Sequence, residues 1–186
     1  KHWFVDFEFP NEDGEPYKSS GGEMFDSELG PIPKGWEVKT INDLTERIMD
    51  YRGKTPKKLG RDWSEVRIIA LSAKSIKNGK LVNLEKANRV DKELYSIWMK
   101  DDLKYGDILL TSEAPLGELY FLANDDKYCL SQRLFAIRAN VEEILPEVLY
   151  MYLNTPQAKE DFENRATGTT VTGIRQSELR KVSVIK

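Results

Sequence analysis

Cysteine and histidine are almost missing from this chain. Its 186 residues hold one of each, Cys129 and His2. A lone cysteine forms no internal disulfide and favours a reducing compartment, so a cytoplasmic location is expected. One Cys and one His cannot furnish a Cys/His zinc site, although a carboxylate-only metal site stays open. No apolar run approaches the ~18 residues that would span a bilayer, and no membrane partner is expected. The first residues show no basic-then-apolar leader, which reads as the absence of a secretory signal. With 12 Gly and 8 Pro the composition is neither collagen-like nor that of a linker. What is present is globular: 40% hydrophobic and 32% charged residues suffice for one cored domain and are too apolar for a disordered chain.

The net charge of −3 argues weakly against a nucleic-acid partner, but its distribution matters more. Residues 1–30 hold two Lys and eight acids, a balance of −6. Residues 47–92 hold 13 bases and 5 acids, a balance of +8. Such a stretch reads either as a solubilising surface or as a face for phosphates.

Local patterns place the elements. Asn11 to Gly22 reads as a loop, and Pro31-Ile32-Pro33-Lys34-Gly35-Trp36 as a rigid entry with an aromatic anchor. The expected division is an N-terminal arm or linker over 1–30 and a domain over 31–186. Thr40 to Leu44 suggests a capped helical turn. Val66 to Leu71 is a β-type run, and Asn78-Gly79 signals a tight hairpin. Asp91 to Lys100 suggests a short helix. Strands are expected at Ile108–Thr111, Leu119–Ala123, Tyr128–Leu130 and Leu134–Ile137, joined mostly by sequential turns. Ile144, Leu145, Val148, Leu149, Tyr152 and Leu153 then recur on one helical face. Thr155-Pro156 opens a second helix with Ala158 and Phe162 inward, Ser177 to Arg180 is one turn, and Val182–Ile185 a last strand. The class is α/β in the mixed α+β sense, with a β-rich centre and C-terminal helices.

Catalytic constellations are scarce. Gly53-Lys54-Thr55 looks like the end of a P-loop, but Ile48 stands where the first glycine belongs. No G-x-G-x-x-G occurs. Glu37-Val38-Lys39 with Asp26 is a poor match to a metal-dependent nuclease, because Asp26 follows no proline and lies in an acidic loop. His2 is terminal, which leaves no Ser-His-Asp triad. Cys129 has apolar neighbours and reads as a core thiol. No Asn/Asp-Pro-Pro-aromatic tetrapeptide of an amino-methyltransferase is found. The chain is expected to be non-catalytic.

Three polar stretches remain: Arg52 to Lys58, Ser131-Gln132-Arg133, and Thr167 to Ser177. Gln and Arg read adenine and guanine edges bidentately, which makes Gln132, Arg133, Arg175 and Gln176 the base-edge candidates. Lys, Arg and Thr hold phosphates, which nominates Arg52, Lys54, Lys57, Lys58, Arg61, Lys74, Lys77, Thr169 and Thr170. An ordinary surface turn and a hydroxyl-rich flexible loop are the plainer readings of the last two stretches.

At these residues the chain resembles the target-recognition domain of type I restriction–modification specificity subunits. Trp3-Phe4-Val5-Asp6-Phe7 is similar to the segment after the family's first spacer helix. Leu29-Gly30-Pro31-Ile32-Pro33-Lys34-Gly35-Trp36 resembles its G-x-I-P-x-G-W entry, and Gly53-Lys54-Thr55-Pro56 its G-x-T-P turn. Tyr105-Gly106-Asp107-Ile108-Leu109-Leu110 matches its G-D-I-L strand. Ser131-Gln132-Arg133 and the run from Ile144 to Leu153 fit the strand and helix that follow. Thr167-Gly168-Thr169-Thr170 with Gly173-Ile174 resembles its late G-T-T-x-x-x-I loop. Each motif is weak alone; six in the family's order are strong together.

The resemblance implies a DNA-binding module that reads one half of a bipartite double-stranded site. It implies methyltransferase and restriction subunits as partners, with S-adenosylmethionine, ATP and magnesium on those subunits and no cofactor here. It also implies long spacer helices before and after the domain, so the chain looks like an excised second domain or a one-domain half-subunit. Two other readings compete: the recognition part of a fused restriction–methylation polypeptide, and a protein-interaction domain that does not bind DNA.

Overall fold

The computed structural model describes residues 2–65 and 67–186. Lys1, counted in the arm, and Val66, expected at the head of a strand, lie outside the described residues. Strands β1 (Met24–Ser27) and β2 (Gly30–Pro33) form a hairpin. Strand β3 (Val38–Thr40) runs into the one-turn helix α1 (Ile41–Leu44), and β4 (Thr45–Asp50) follows without a loop. The turn α1 forms where expected because Thr40 and Asp43 cap each other. The Thr40 hydroxyl accepts from the Asp43 amide at 3.3 Å, and the Asp43 carboxylate accepts from the Thr40 amide at 3.0 Å.

The middle holds β5 (Ile68–Leu71), the hairpin β6 (Ile76–Lys77) and β7 (Lys80–Leu81), β8 (Arg89–Val90) and α2 (Lys92–Trp98). Asn78 and Gly79 both have positive φ, 50° and 72°, as a two-residue hairpin of the primed type needs. Asp91 caps α2 by accepting from the Leu94 amide at 2.7 Å. Then come β9 (Ile108–Ser112), β10 (Leu116–Phe121), β11 (Tyr128–Leu130) and β12 (Leu134–Ala139). Helices α3 (Pro146–Leu153), α4 (Pro156–Arg165) and α5 (Gln176–Leu179) precede the last strand, β13 (Ser183–Ile185). The result is a mixed α+β fold in which sheets dominate.

The central sheet is antiparallel in the order β10-β9-β12-β4. Its inner strands are buried on both faces, which explains their unbroken apolar runs. Side chains alternate between two cores with the period of two that a pleated strand imposes. Ile48, Ile108, Leu110, Phe135 and Ile137 face a core shared with Leu149, Leu153, Phe162 and Val184. Met49, Leu109, Leu134 and Ala136 face the other, shared with Leu71, Val90, Leu94, Trp98 and Leu130. The edge strands β4 and β10 carry Glu46, Arg47 and Glu118, charges that discourage further pairing.

The topology departs from the expected run of sequential turns. Only β9 and β10 are hairpin neighbours in the central sheet. Strand β12 inserts between β9 and β4, and β11 leaves to pair in parallel with β5 in a second sheet of order β11-β5-β8. A strand as apolar as β12 needs cover on both edges and both faces, and its sequence neighbours alone cannot supply it. At the chain's ends, β13 pairs with β3.

Asp107 of the G-D-I-L run is a structural group. Its carboxylate, fully buried, receives Nε and Nη2 of Arg138 at 2.8 and 2.7 Å and the Lys104 amide at 2.9 Å. Gly106 has φ 86°, and a Cβ there would lie 3.2 Å from Pro146 Cγ, so the tight turn before β9 requires glycine.

Residues 2–30 pack against the entry at Trp36. Phe7 is buried in the first core, and Phe9 stacks on Trp36 with centroids 5.1 Å apart. The β1–β2 hairpin crosses the expected boundary at Pro31.

Candidate nucleic-acid interface

The parallel pairing of β11 with β5 builds the candidate site. Tyr128, Cys129 and Leu130 pair with Ile69, Ala70 and Leu71, so both strands end on the same side. The segments beyond them then lie together. The Ser131 amide donates to Leu71 O at 2.8 Å and the Ala73 amide to Gln132 O at 3.1 Å. Residues 73–75 make a 3-10 turn that presents Lys74, and residues 131–133 make the turn into β12. Carboxyl ends of parallel strands leave such a crevice. Here it is a groove of about 730 Å³ lined among others by Trp63, Lys74, Asn83, Lys86, Asn88, Gln132 and Arg133. Trp63 is partly exposed and tilts against Trp98 of α2, with ring centroids 5.9 Å apart.

Arg133 sits in the left-handed region at φ 63°. A long side chain there is uncommon and marks a turn held by its surroundings. The Ser112 amide donates to Arg133 O at 2.9 Å, and the guanidinium Nε lies 3.0 Å from Glu113 Oε1. Glu113 also faces the Thr/Gly stretch, through a bridge to Gly173. That stretch closes on itself: the Thr167 and Gly173 amides donate to each other's carbonyls at 2.9 and 3.0 Å. Gly168, at φ 123°, has the Val171 carbonyl oxygen 2.2 Å from where a Cβ would stand, so no other residue fits. Thr169 and Thr170 are exposed on this loop.

The candidates thus divide. Gln132, Arg133 and Lys74 line the groove together, while Lys57, Lys77 and Arg175 are exposed outside its lining without a side-chain hydrogen bond or ion pair among the described residues. Lys58 Nζ donates to Gly53 O at 3.0 Å. Others are engaged in holding the fold. Arg52 grips Asp50 through Nε and Nη2, both at 2.8 Å, with its guanidinium 4.0 Å from the Phe135 ring centroid. Lys54 Nζ donates to Trp98 O at 2.5 Å, and burial pushes its ammonium below the ordinary value. Arg61 is clamped by Glu93 at 2.7 Å and Asp91 at 3.2 Å, and those carboxylates hold its pKa up. The Gln132 amide donates to Lys54 O at 2.7 Å and the Gln176 amide to Ile48 O at 2.9 Å.

Sequence reasoning passed over Trp63, Asn83, Lys86, Asn88 and Glu113. Lys86 belongs to the basic stretch, and Trp63 is an aromatic between the basic residues Arg61 and Arg67, a pattern suited to nucleic acid. Glu113 gave no signal, since only the fold sets it against Arg133. Among the described residues, no three His, Cys, Asp or Glu side chains are grouped to hold a metal ion, and no helix is long and apolar enough to cross a membrane.

A groove with cations, amides and a partly exposed indole, beside a mixed sheet, offers the groups that a nucleic-acid recognition domain would use. Comparison with known proteins gives the family. Residues 33–185 match the type I restriction modification DNA specificity domain, and the chain belongs to that family. It is 25% identical over 164 residues to the type I restriction enzyme MjaIX specificity subunit of Methanocaldococcus jannaschii, covering 87% of this chain and 36% of that protein. The fold resembles the type I restriction–modification S subunit of M. genitalium (TM-score 0.55, 19% identity, 82% of this chain and 34% of that one). It also resembles the HsdS subunit of Thermoanaerobacter tengcongensis (TM-score 0.56, 15% identity, 83% and 38%). The chain therefore spans about a third of the length of the proteins it matches.

Proposed function

We propose that this domain reads one half of a bipartite double-stranded DNA site, with the groove between residues 72–75, 83–88 and 131–133 against the duplex. The observation that carries this is the company of Arg133 in that groove: Lys74 and Lys86 on its lining have no carboxylate partner among the described residues, while Arg133 projects from a constrained turn. Unpaired lysines suit phosphates, and a fixed guanidinium suits a base edge. Arg133 and Arg175 are the base-edge candidates. Gln132 and Gln176 serve chiefly to fix the turns that carry them. Lys57, Lys74, Lys77, Lys86, Thr169 and Thr170 are the phosphate candidates. Arg52, Lys54, Arg61 and, through its carbonyl contact, Lys58 act first as internal braces.

The domain works without a cofactor of its own in this reading. Methyltransferase and restriction subunits are its partners in the cytoplasm and carry S-adenosylmethionine, ATP and magnesium. The N-terminal arm of residues 1–30 joins the domain proper, 31–186, to a spacer helix. Methylome mapping with and without the encoding gene tests the proposal. Loss of a bipartite methylated-adenine motif is the expected result; an unchanged methylome overturns it.

A further inference from the structure

The ion pair between Arg133 and Glu113 differs from every other cation on the groove lining. Lys74 and Lys86 have no carboxylate partner among the described residues, whereas the Arg133 Nε lies 3.0 Å from Glu113 Oε1. The pair is half-exposed, 48% and 36% for the two side chains. An ion pair so open to water adds little to stability, and the left-handed backbone at Arg133 works against it.

Glu113 is nevertheless firmly placed. Its backbone bridges Gly173, and a Cβ on Gly173 would lie 3.0 Å from Glu113 Cβ and 3.3 Å from Oε2. The residue before it, Ser112, donates its amide to Arg133 O and accepts from the Ile174 amide, both at 2.9 Å. The carboxylate is therefore held between the turn that carries Arg133 and the Thr/Gly loop.

Phosphate offers only acceptors and negative charge. A guanidinium beside a carboxylate is locally neutralised and suits phosphate poorly. The major-groove edge of a G·C pair offers two acceptors on guanine, O6 and N7, next to a donor on cytosine, N4. A guanidinium and a carboxylate side by side are the complement of that edge.

We propose that Glu113 is a specificity-determining residue which, with Arg133, recognises a G·C pair: the guanidinium donates to guanine, the carboxylate accepts from the cytosine amine, and the same carboxylate keeps Arg133 off phosphates. The proposal rests on the DNA-reading function above.

The test uses the purified chain with duplexes selected from a random-sequence pool, and a salt titration on an unrelated duplex. Glu113→Gln keeps the shape and removes the charge. It should bind the unrelated duplex more tightly, with a log–log salt slope steeper by about one, because Arg133 becomes free to take a phosphate. Adding Arg133→Gly should return that slope to the wild-type value. Glu113→Ala removes the acceptor as well, and discrimination between the selected G·C pair and A·T should fall about tenfold. Thermal melting of each variant checks the fold. An unchanged slope in Glu113→Gln, or an unchanged G·C preference in Glu113→Ala, overturns the inference and leaves the DNA-reading function standing. Salt-independent or absent binding by the wild type overturns both.

Discussion

The side-chain amide of Gln132 reaches 78 residues back along the chain to donate to Lys54 O at 2.7 Å. This contact ties the turn before β12 to the turn after β4, and it takes one of the two N–H donors of the amide and fixes its orientation toward the protein. Gln132→Ala should therefore lower stability by about 1 kcal/mol, the net worth of one such hydrogen bond. Base preference should stay as it is. Urea unfolding and selection from a random duplex pool measure the two separately. A changed preference with unchanged stability would restore Gln132 as a base reader.

Arg133 permits a cleaner separation of folding from reading. At φ 63° glycine relieves backbone strain of roughly 1–2 kcal/mol, offset by about 0.5–1 kcal/mol of added freedom in the unfolded chain. Arg133→Gly should then stay within about 1 kcal/mol of the wild type in a denaturant melt. Its discrimination between selected and scrambled DNA should be lost. Retained discrimination would remove Arg133 from the reading surface.

What the sequence shows and what it hides divide by range along the chain. The Asn78-Gly79 hairpin, the helical turn from Thr40 to Leu44 and the helix from Pro146 are local patterns and are legible without a structure; that Thr40 itself is the cap is seen only in the fold. The β4 strand, Thr45–Asp50, is not, because its charges alternate imperfectly and only β12 shows which residues face inward. The parallel pairing of Tyr128 with Ile69 is equally silent, and it is what sets the residue 131–133 turn beside Lys74. Residue type identifies Gln132, Arg52 and Arg61 as possible DNA contacts. Their internal partners Lys54, Asp50 and Glu93 are visible only once the chain is folded.

Cys129 should be chemically silent in the native chain. It is fully buried between β5 and its own apolar neighbours, and burial pushes its thiol up to about 12. The raised value means the folded state keeps the proton while the unfolded state loses it near 9.0. Its stabilising contribution is thus complete below the unfolded value and is lost as pH rises toward the folded one. Thiol-specific reagents at pH 8 should react only as fast as the chain unfolds. Rapid native labelling would show that the second core opens locally.

Residues 2–30 should be cut first by proteases, within the exposed stretch after Asn11. We propose that the nicked N-terminal piece stays bound, because Phe7 is buried and Phe9 stacks on Trp36. Size-exclusion chromatography of the nicked chain, followed by a denaturing gel, should show both fragments in one peak. Primary cleavage inside 105–153 would contradict a domain that begins at Pro31.

The lysines of the basic stretch should behave as two groups. Lys74 and Lys86 line the groove without a carboxylate partner among the described residues, so each change to Ala should weaken binding to all sequences about equally and lower the salt slope by about one. Lys54 and Arg61 lie in the same stretch but are spent on Trp98 O and on Asp91 with Glu93. Lys54→Ala removes a partner of a buried carbonyl and should lower the melting temperature while leaving the salt slope nearly intact. Arg61→Ala breaks a half-exposed clamp, with a small loss of stability and an unchanged slope. The measurement is fluorescence anisotropy of a labelled duplex across a range of salt, with the wild type expected near roughly 10⁻⁴–10⁻⁶ M on unrelated DNA at physiological salt. If Lys54→Ala or Arg61→Ala flattens the slope as much as Lys74→Ala does, the internal contacts yield to DNA and the phosphate surface extends around α2. If none of the four changes it, the duplex lies on another face and the groove is not the site.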